Sequence, residues 1–207
     1  MKVWDLSTRL YHWAQALLFV ALTLSGFSGN GPHVQLGLAI TTLIIWRMIW
    51  GFVGSETSRF KQFVRSPKHV VNYLKGREKI KPGHNPAGGW MVISLVFALF
   101  LQCISGLALT GFFDALPYAD LVLTDTVFYW LEVVHVQLAH LLPALVFVHV
   151  GAILVYKFRS KPLTWAMVTG RQKHLSASQA VIFVSQWRAL LMLVLATSVT
   201  MGIVALA

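Results

Sequence analysis

The chain has 207 residues, 57 % of them hydrophobic and 12 % charged, with a mean hydropathy of +0.67. A soluble domain carries about 25 % charged residues, so these values exclude a soluble enzyme or binding module and imply an integral membrane protein. The net charge of +10 does not point to nucleic acid, because Lys and Arg gather at the N-terminus and in two loops, a pattern that reports membrane topology. There is one cysteine, Cys103, and no C-x-x-C-H, which excludes disulfides, covalent c-type haem attachment and cysteine-based zinc or iron–sulfur sites.

Five apolar segments are long enough to cross a bilayer as helices, at about residues 10–27, 33–53, 90–112, 126–158 and 187–207. A helix is expected for each because it satisfies its own backbone polar groups in lipid. Lys2 and Arg9 before the first segment resemble the basic start of a signal peptide. His12, Tyr11 and Trp13 interrupt the run, however, and no alanine-type cleavage site follows, so it reads as a retained span. Gly29-Asn30-Gly31-Pro32 turns the chain into the second segment, and Asn85-Pro86 is a cap and first-turn pair leading into the third. Asp114 to Asp125 separates the third from the fourth.

The loop from Gly54 to Gly89 is strongly basic, and the stretch after the fourth segment carries Lys157, Arg159, Lys161, Arg171 and Lys173 with no acid. The Gly29–Pro32 turn is uncharged, and the Leu109–Asp125 stretch carries only Asp114, Asp120 and Asp125. The positive-inside rule places the N-terminus and both basic loops in the cytoplasm and the C-terminus in the periplasm. The expected organisation is an all-α, integral membrane helical bundle. Residues 1–160 form a four-helix cofactor-binding core, and 161–207 form a cytoplasmic loop and a fifth C-terminal transmembrane helix.

Intramembrane histidines are costly and mark ion, proton or cofactor sites. His135 and His149 lie fourteen residues apart, about 40° short of four full turns, so both leave one face of the fourth helix, roughly 21 Å apart along the axis. With the expected topology, His12 lies at the depth of His149 near the inner surface, and His33 near His135 toward the outer one. Two pairs on facing helices suit two six-coordinate b haems, since each iron needs an axial nitrogen on either side of a flat macrocycle. A single intramembrane histidine is more often a hydrogen-bonding or proton-relay residue; four that pair by depth favour cofactor ligation.

His140 is about 140° around the helix from His135 and is expected to make a polar contact with a neighbouring helix instead. His69, His84 and His174 fall in basic loops, where solvation is the ordinary expectation, although His84 is also placed to approach an inner haem edge. Arg47 stands fourteen residues after His33 and fits either a bidentate pair with an inner haem propionate or snorkelling to the headgroups. Arg9, one turn before His12, is a weaker propionate candidate. Glu132-x-x-His135 lacks the partner motif and carboxylates of a di-iron site. Small residues recur at Gly37, Gly151, Ser25-Gly26 and Ser105-Gly106; they permit the close approach a macrocycle needs, and ordinary glycine-mediated packing equally.

Three segments resemble a known family. Val3-Trp4-Asp5-Leu6-Ser7-Thr8-Arg9-Leu10-Tyr11-His12-Trp13, Gly83-His84-Asn85-Pro86-Ala87-Gly88-Gly89, and Glu132-Val133-Val134-His135 through His149 are similar to the bacterial cytochrome b-561 and nickel–iron hydrogenase cytochrome b subunit family. The resemblance covers about residues 1 to 160; His140 stands where relatives often have asparagine. It implies a four-helix bundle with two b haems, the cytoplasmic-side haem ligated by His12 and His149 and the periplasmic-side haem by His33 and His135. It also implies a quinone site near the cytoplasmic-side haem.

The expected function is electron transfer in the bacterial cytoplasmic (inner) membrane between the quinone pool and a periplasmic cytochrome c or hydrogenase-type partner. Lipid and quinone are the further partners, and no nucleic acid is expected. A stand-alone superoxide:quinone oxidoreductase is the enzyme alternative. A haem-free transporter or proton channel, with the histidines relaying protons, is the third reading.

Overall fold

A computed structural model describes residues 1–77, 82–158, 163–172 and 181–207. Five helices have the length and apolarity to cross a membrane. They are α1 (Leu6–Ser28), α2 (His33–Val53), α5 (Pro86–Leu109), α7 (Asp125–Phe158) and α9 (Gln186–Leu206). Shorter helices fill the connections: a 3-10 turn at Glu56–Ser58, α3 (Phe60–Phe63), α4 (Pro67–Leu74), α6 (Ala119–Val122) and α8 (Leu163–Thr169). The architecture is an all-α membrane bundle.

The expected segments match these helices closely, with differences at the ends set by capping. Asp5 caps α1 by accepting from the Thr8 amide at 2.6 Å, so that helix begins at Leu6 rather than Leu10. Asn85 accepts from the Gly88 amide at 2.7 Å with Pro86 in the first turn, and α5 therefore starts before Trp90. Gly29, with φ 66°, ends α1 in the left-handed conformation that a residue lacking Cβ adopts without strain.

Packing runs from α7 to α5, from α5 to α2 and from α2 to α1, with α9 on another face of α2. The α2–α9 seam is pinned by Thr42 Oγ1 donating to Thr200 Oγ1 at 2.8 Å and Trp46 Nε1 donating to the Ala189 carbonyl at 3.0 Å. Ile40, Ile44, Leu99, Cys103 and Leu142 form an apolar layer at mid-height. Leu142 is seven residues from both His135 and His149, so this layer separates the two histidine levels. Outward-facing side chains such as Leu17, Leu24, Phe97 and Phe147 are exposed, which in a membrane bundle is lipid-facing surface. α7 has 34 residues, about 51 Å at 1.5 Å per residue, longer than the roughly 30 Å hydrocarbon core. Near its C-terminal end Tyr156 Oη accepts from Asn85 Nδ2 at 3.1 Å and meets Tyr73 Oη.

The basic loop after α2 is not the solvated excursion its charge implies. It folds back under the bundle into a cap in which Ser55, Ser58 and Phe63 are buried together with Val3, Trp4 and Asp5. Gly51 permits this, because a Cβ there would lie 2.0 Å from the Phe60 ring. The N-terminal segment pairs with the chain after α8 through Val3 N donating to Gly170 O at 2.7 Å. The approach to α9 is tied to the same cap by Glu56 N donating to Ile182 O at 3.0 Å.

Candidate cofactor site

At the basic end of the bundle, His12 on α1 faces His149 on α7 with ring centroids 6.5 Å apart and planes inclined at 51°. His12 Nδ1 is buried without a hydrogen-bond partner. Tyr11 Oη, Gln15 Oε1, Asp5 Oδ2 and His84 Nδ1 are in the same condition. Each is an unpaired polar atom of a kind that normally costs free energy when buried, and their concentration at this end marks a place where further polar contacts are to be made.

At the acidic end, a cavity of about 610 Å³ opens between α1, α2, α5 and α7, lined by His33, Thr41, Cys103, His135 and His140 among others. That volume lies within the range of cofactor pockets, about 300–1,000 Å³. Gly37 at this cavity faces open space, with no atom within 4 Å of where a Cβ would stand, and so does Gly151, two residues past His149 at the basic end. His33 Nδ1 lies 2.9 Å from Ser25 Oγ, and His135 Nδ1 lies 3.0 Å from Ser105 Oγ. The Gln102 amide nitrogen stands 3.2 Å from His135 Nε2, against the nitrogen that would have to be free for His135 to hold a metal. Gln102 was not singled out by the sequence; nothing in its apolar surroundings signals it until α5 and α7 are packed together.

The other candidates differ from expectation in informative ways. Arg47 is 4 % exposed, so it does not snorkel. Its guanidinium lies 4.9 Å from the Phe60 ring centroid and 5.9 Å from that of Phe63, and Nη1 donates to the Ser58 carbonyl at 3.2 Å. The folded-back cap covers the route to the headgroups. Arg9 directs its guanidinium to the Val168 and Asp5 carbonyls, which ties α1 to α8. His84 is not solvated: its ring packs on Trp4 and Phe63, each with centroids 4.7 Å away. Burial, reinforced by the Arg47 charge, lowers its pKa from 6.5 to about 3, so it is neutral at ordinary pH. His140 meets the Phe27 ring of α1 at 5.3 Å rather than a polar group. His69 and Glu132 are exposed, and His174 lies outside the described residues. Among the described residues no three of His, Cys, Asp and Glu converge in a metal-binding cluster.

A membrane-spanning helical bundle with two histidines facing each other at one end and two more lining one cavity at the other has the make-up of a b-type cytochrome. The chain belongs to the prokaryotic cytochrome b561 family, which matches residues 3–170. It is also similar to a probable Ni/Fe-hydrogenase B-type cytochrome subunit of Bradyrhizobium diazoefficiens. The two are 23 % identical over 141 residues, covering 53 % of this chain and 56 % of that protein. The match thus spans little more than half of the relative's length. No solved structure matches the chain. Membership makes it a multi-pass membrane cytochrome of electron transfer, with haem b as its cofactor.

Proposed function

We propose that the chain holds two b haems, one between His12 and His149 and one between His33 and His135. In this reading it passes electrons between the quinone pool and a periplasmic redox partner, from a position in the inner membrane with its N-terminus in the cytoplasm. The observation that carries the reading is the facing of His12 and His149 across the space between α1 and α7. Metal–imidazole bonds of about 2 Å on either side, plus roughly 1 Å from each nitrogen to its ring centre, need ring centroids on the order of 6 Å apart. The observed separation is 6.5 Å. When bound, haem supplies one-electron chemistry, and two of them suit a two-electron quinol.

The protein's own share is to hold the nitrogens, exclude water with the Ile40–Leu142 layer, and place charge. Arg47, buried near the inner pair, is the side chain proposed to meet an inner propionate. Arg9 ranks below it because its guanidinium already has carbonyl partners. A hydrogenase-type or c-type cytochrome partner is proposed by analogy with the relative's name, and the acidic Asp114–Asp125 segment offers it a surface.

Purified protein should show bis-histidine b-type bands and about two haems per chain by pyridine haemochrome. His135→Ala should remove only the outer haem. A folded, colourless protein would sink the reading in favour of a haem-free channel, and loss of both haems from a still-folded His135→Ala would overturn the pairing by depth.

A further inference from the structure

The two outer histidines are held in the same way by two copies of one device. His33 Nδ1 meets Ser25 Oγ at 2.9 Å and His135 Nδ1 meets Ser105 Oγ at 3.0 Å. Each serine is followed by a glycine whose missing side chain leaves room for the ring. A Cβ at Gly26 would stand 3.1 Å from His33 Cε1, and one at Gly106 would stand 2.8 Å from His135 Cε1. Two Ser-Gly pairs on different helices, α1 and α5, thus cradle two imidazoles on α2 and α7.

Donor accounting bears on which nitrogen carries the proton. A serine hydroxyl has one hydrogen to give. Ser25 gives it to the Leu22 carbonyl at 3.0 Å, and Ser105 shares its own between the Leu101 and Gln102 carbonyls at 2.8 and 3.1 Å. With its hydrogen on a carbonyl, each hydroxyl is an acceptor toward its imidazole, an arrangement in which each Nδ1 is the N–H. The Gln102 amide nitrogen, a donor only, sits at His135 Nε2, which agrees with a lone pair on that atom. At the inner level His12 has no such support, its Nδ1 being buried without a hydrogen-bond partner among the described residues.

We propose that Ser25 and Ser105 are positioning residues of the outer site, each accepting the Nδ1 proton of one histidine so that Nε2 is left for iron; this rests on the assignment of His33 and His135 as ligands. A hydrogen bond from the far ring nitrogen fixes the tautomer and raises ligand basicity. A more basic ligand favours the ferric state and lowers the midpoint potential. Removing the acceptor raises that potential at the outer haem and leaves the inner haem where it was. A tenfold change in relative affinity, at the lower end of what such partners contribute, is about 59 mV for one electron.

The experiment is a potentiometric titration of membrane-purified wild type, Ser25→Ala, Ser105→Ala and the double variant, with ferric low-spin EPR recorded on the same samples. Wild type and His135→Ala come first: if they do not differ by one haem, the ligand assignment has failed, and not the serines. With that step passed, an upward shift confined to the outer haem, with changed EPR g values for that haem alone, supports the proposal. Unchanged potentials and spectra in the loaded double variant overturn it. Should the alanine variants fail to load the outer haem, Ser→Thr variants decide. Loading restored by the threonine hydroxyl supports the role, and loading absent from alanine and threonine variants alike overturns it.

Discussion

At the level of single residues, the polar atoms left unpaired in the structure are as telling as those that pair. His12 Nδ1, Tyr11 Oη, Gln15 Oε1 and His84 Nδ1 gather at the basic end, and Gly106 leaves the room that the His135 ring fills at the acidic end. Adding one methyl group at Gly106 pushes on that ring at 2.8 Å, closer than packed atoms tolerate. Gly106→Ala is expected to lower occupancy of the proposed outer haem while the proposed inner haem remains, measured as haem per chain and as a one-component reductive titration. His84 makes a separate prediction. Its folded-state pKa of about 3 lies below the ordinary 6.5. The unfolded chain therefore binds a proton in that interval that the folded chain refuses, and stability falls as pH drops from 6.5 toward 3. Replacement by Gln removes this term, so thermal melting in detergent should lose part of its acid sensitivity. Equal slopes for wild type and His84→Gln would contradict the burial argument.

At the level of elements, α7 is the member on which both histidine levels depend, since it carries one ring of each pair. Pro143 lies inside it between the two, where its lack of an N–H leaves the Ala139 carbonyl without its usual helical partner. α9 is of another kind. It packs on α2 through Trp46 and Thr42 and contains no histidine, in keeping with the proposal that residues 1–160 form the cofactor core. A chain ending at Gln172 should retain the two proposed haems and melt at a lower temperature, because the α2 face that α9 covers is then opened. A fall in haem per chain would instead place α9 in a site. The short helices after α2 are the elements that the loop's charge hid. Their bases point outward, and only the spacing of Phe60 and Phe63 against Gly51 and Gly89 reveals, once folded, that this segment is a packed cap.

At the level of the whole molecule, the basic cap and the acidic Asp114–Asp125 segment lie at opposite ends of the bundle, an asymmetry that should orient it in the membrane. An alkaline phosphatase fused at the C-terminus is expected to be active and a green fluorescent protein fused there dark; the reverse outcome would invert the proposed topology. Much of this arrangement was legible in the chain itself. Length and apolarity determine five spans, Asn85-Pro86 and the Gly29–Pro32 turn delimit them, and a fourteen-residue step puts His135 and His149 on one helical face. These are local consequences of bond geometry and of the cost of polar groups in lipid. Side-chain partnership across helices is not local. That Arg47 and His84 are covered by a cap, that Gln102 stands at His135 Nε2, and that two Ser-Gly pairs hold two imidazoles were all decided by tertiary packing. The physical reason is that a hydroxyl's acceptor role or a glycine's empty space has meaning only when another helix brings an atom within about 3 Å of it.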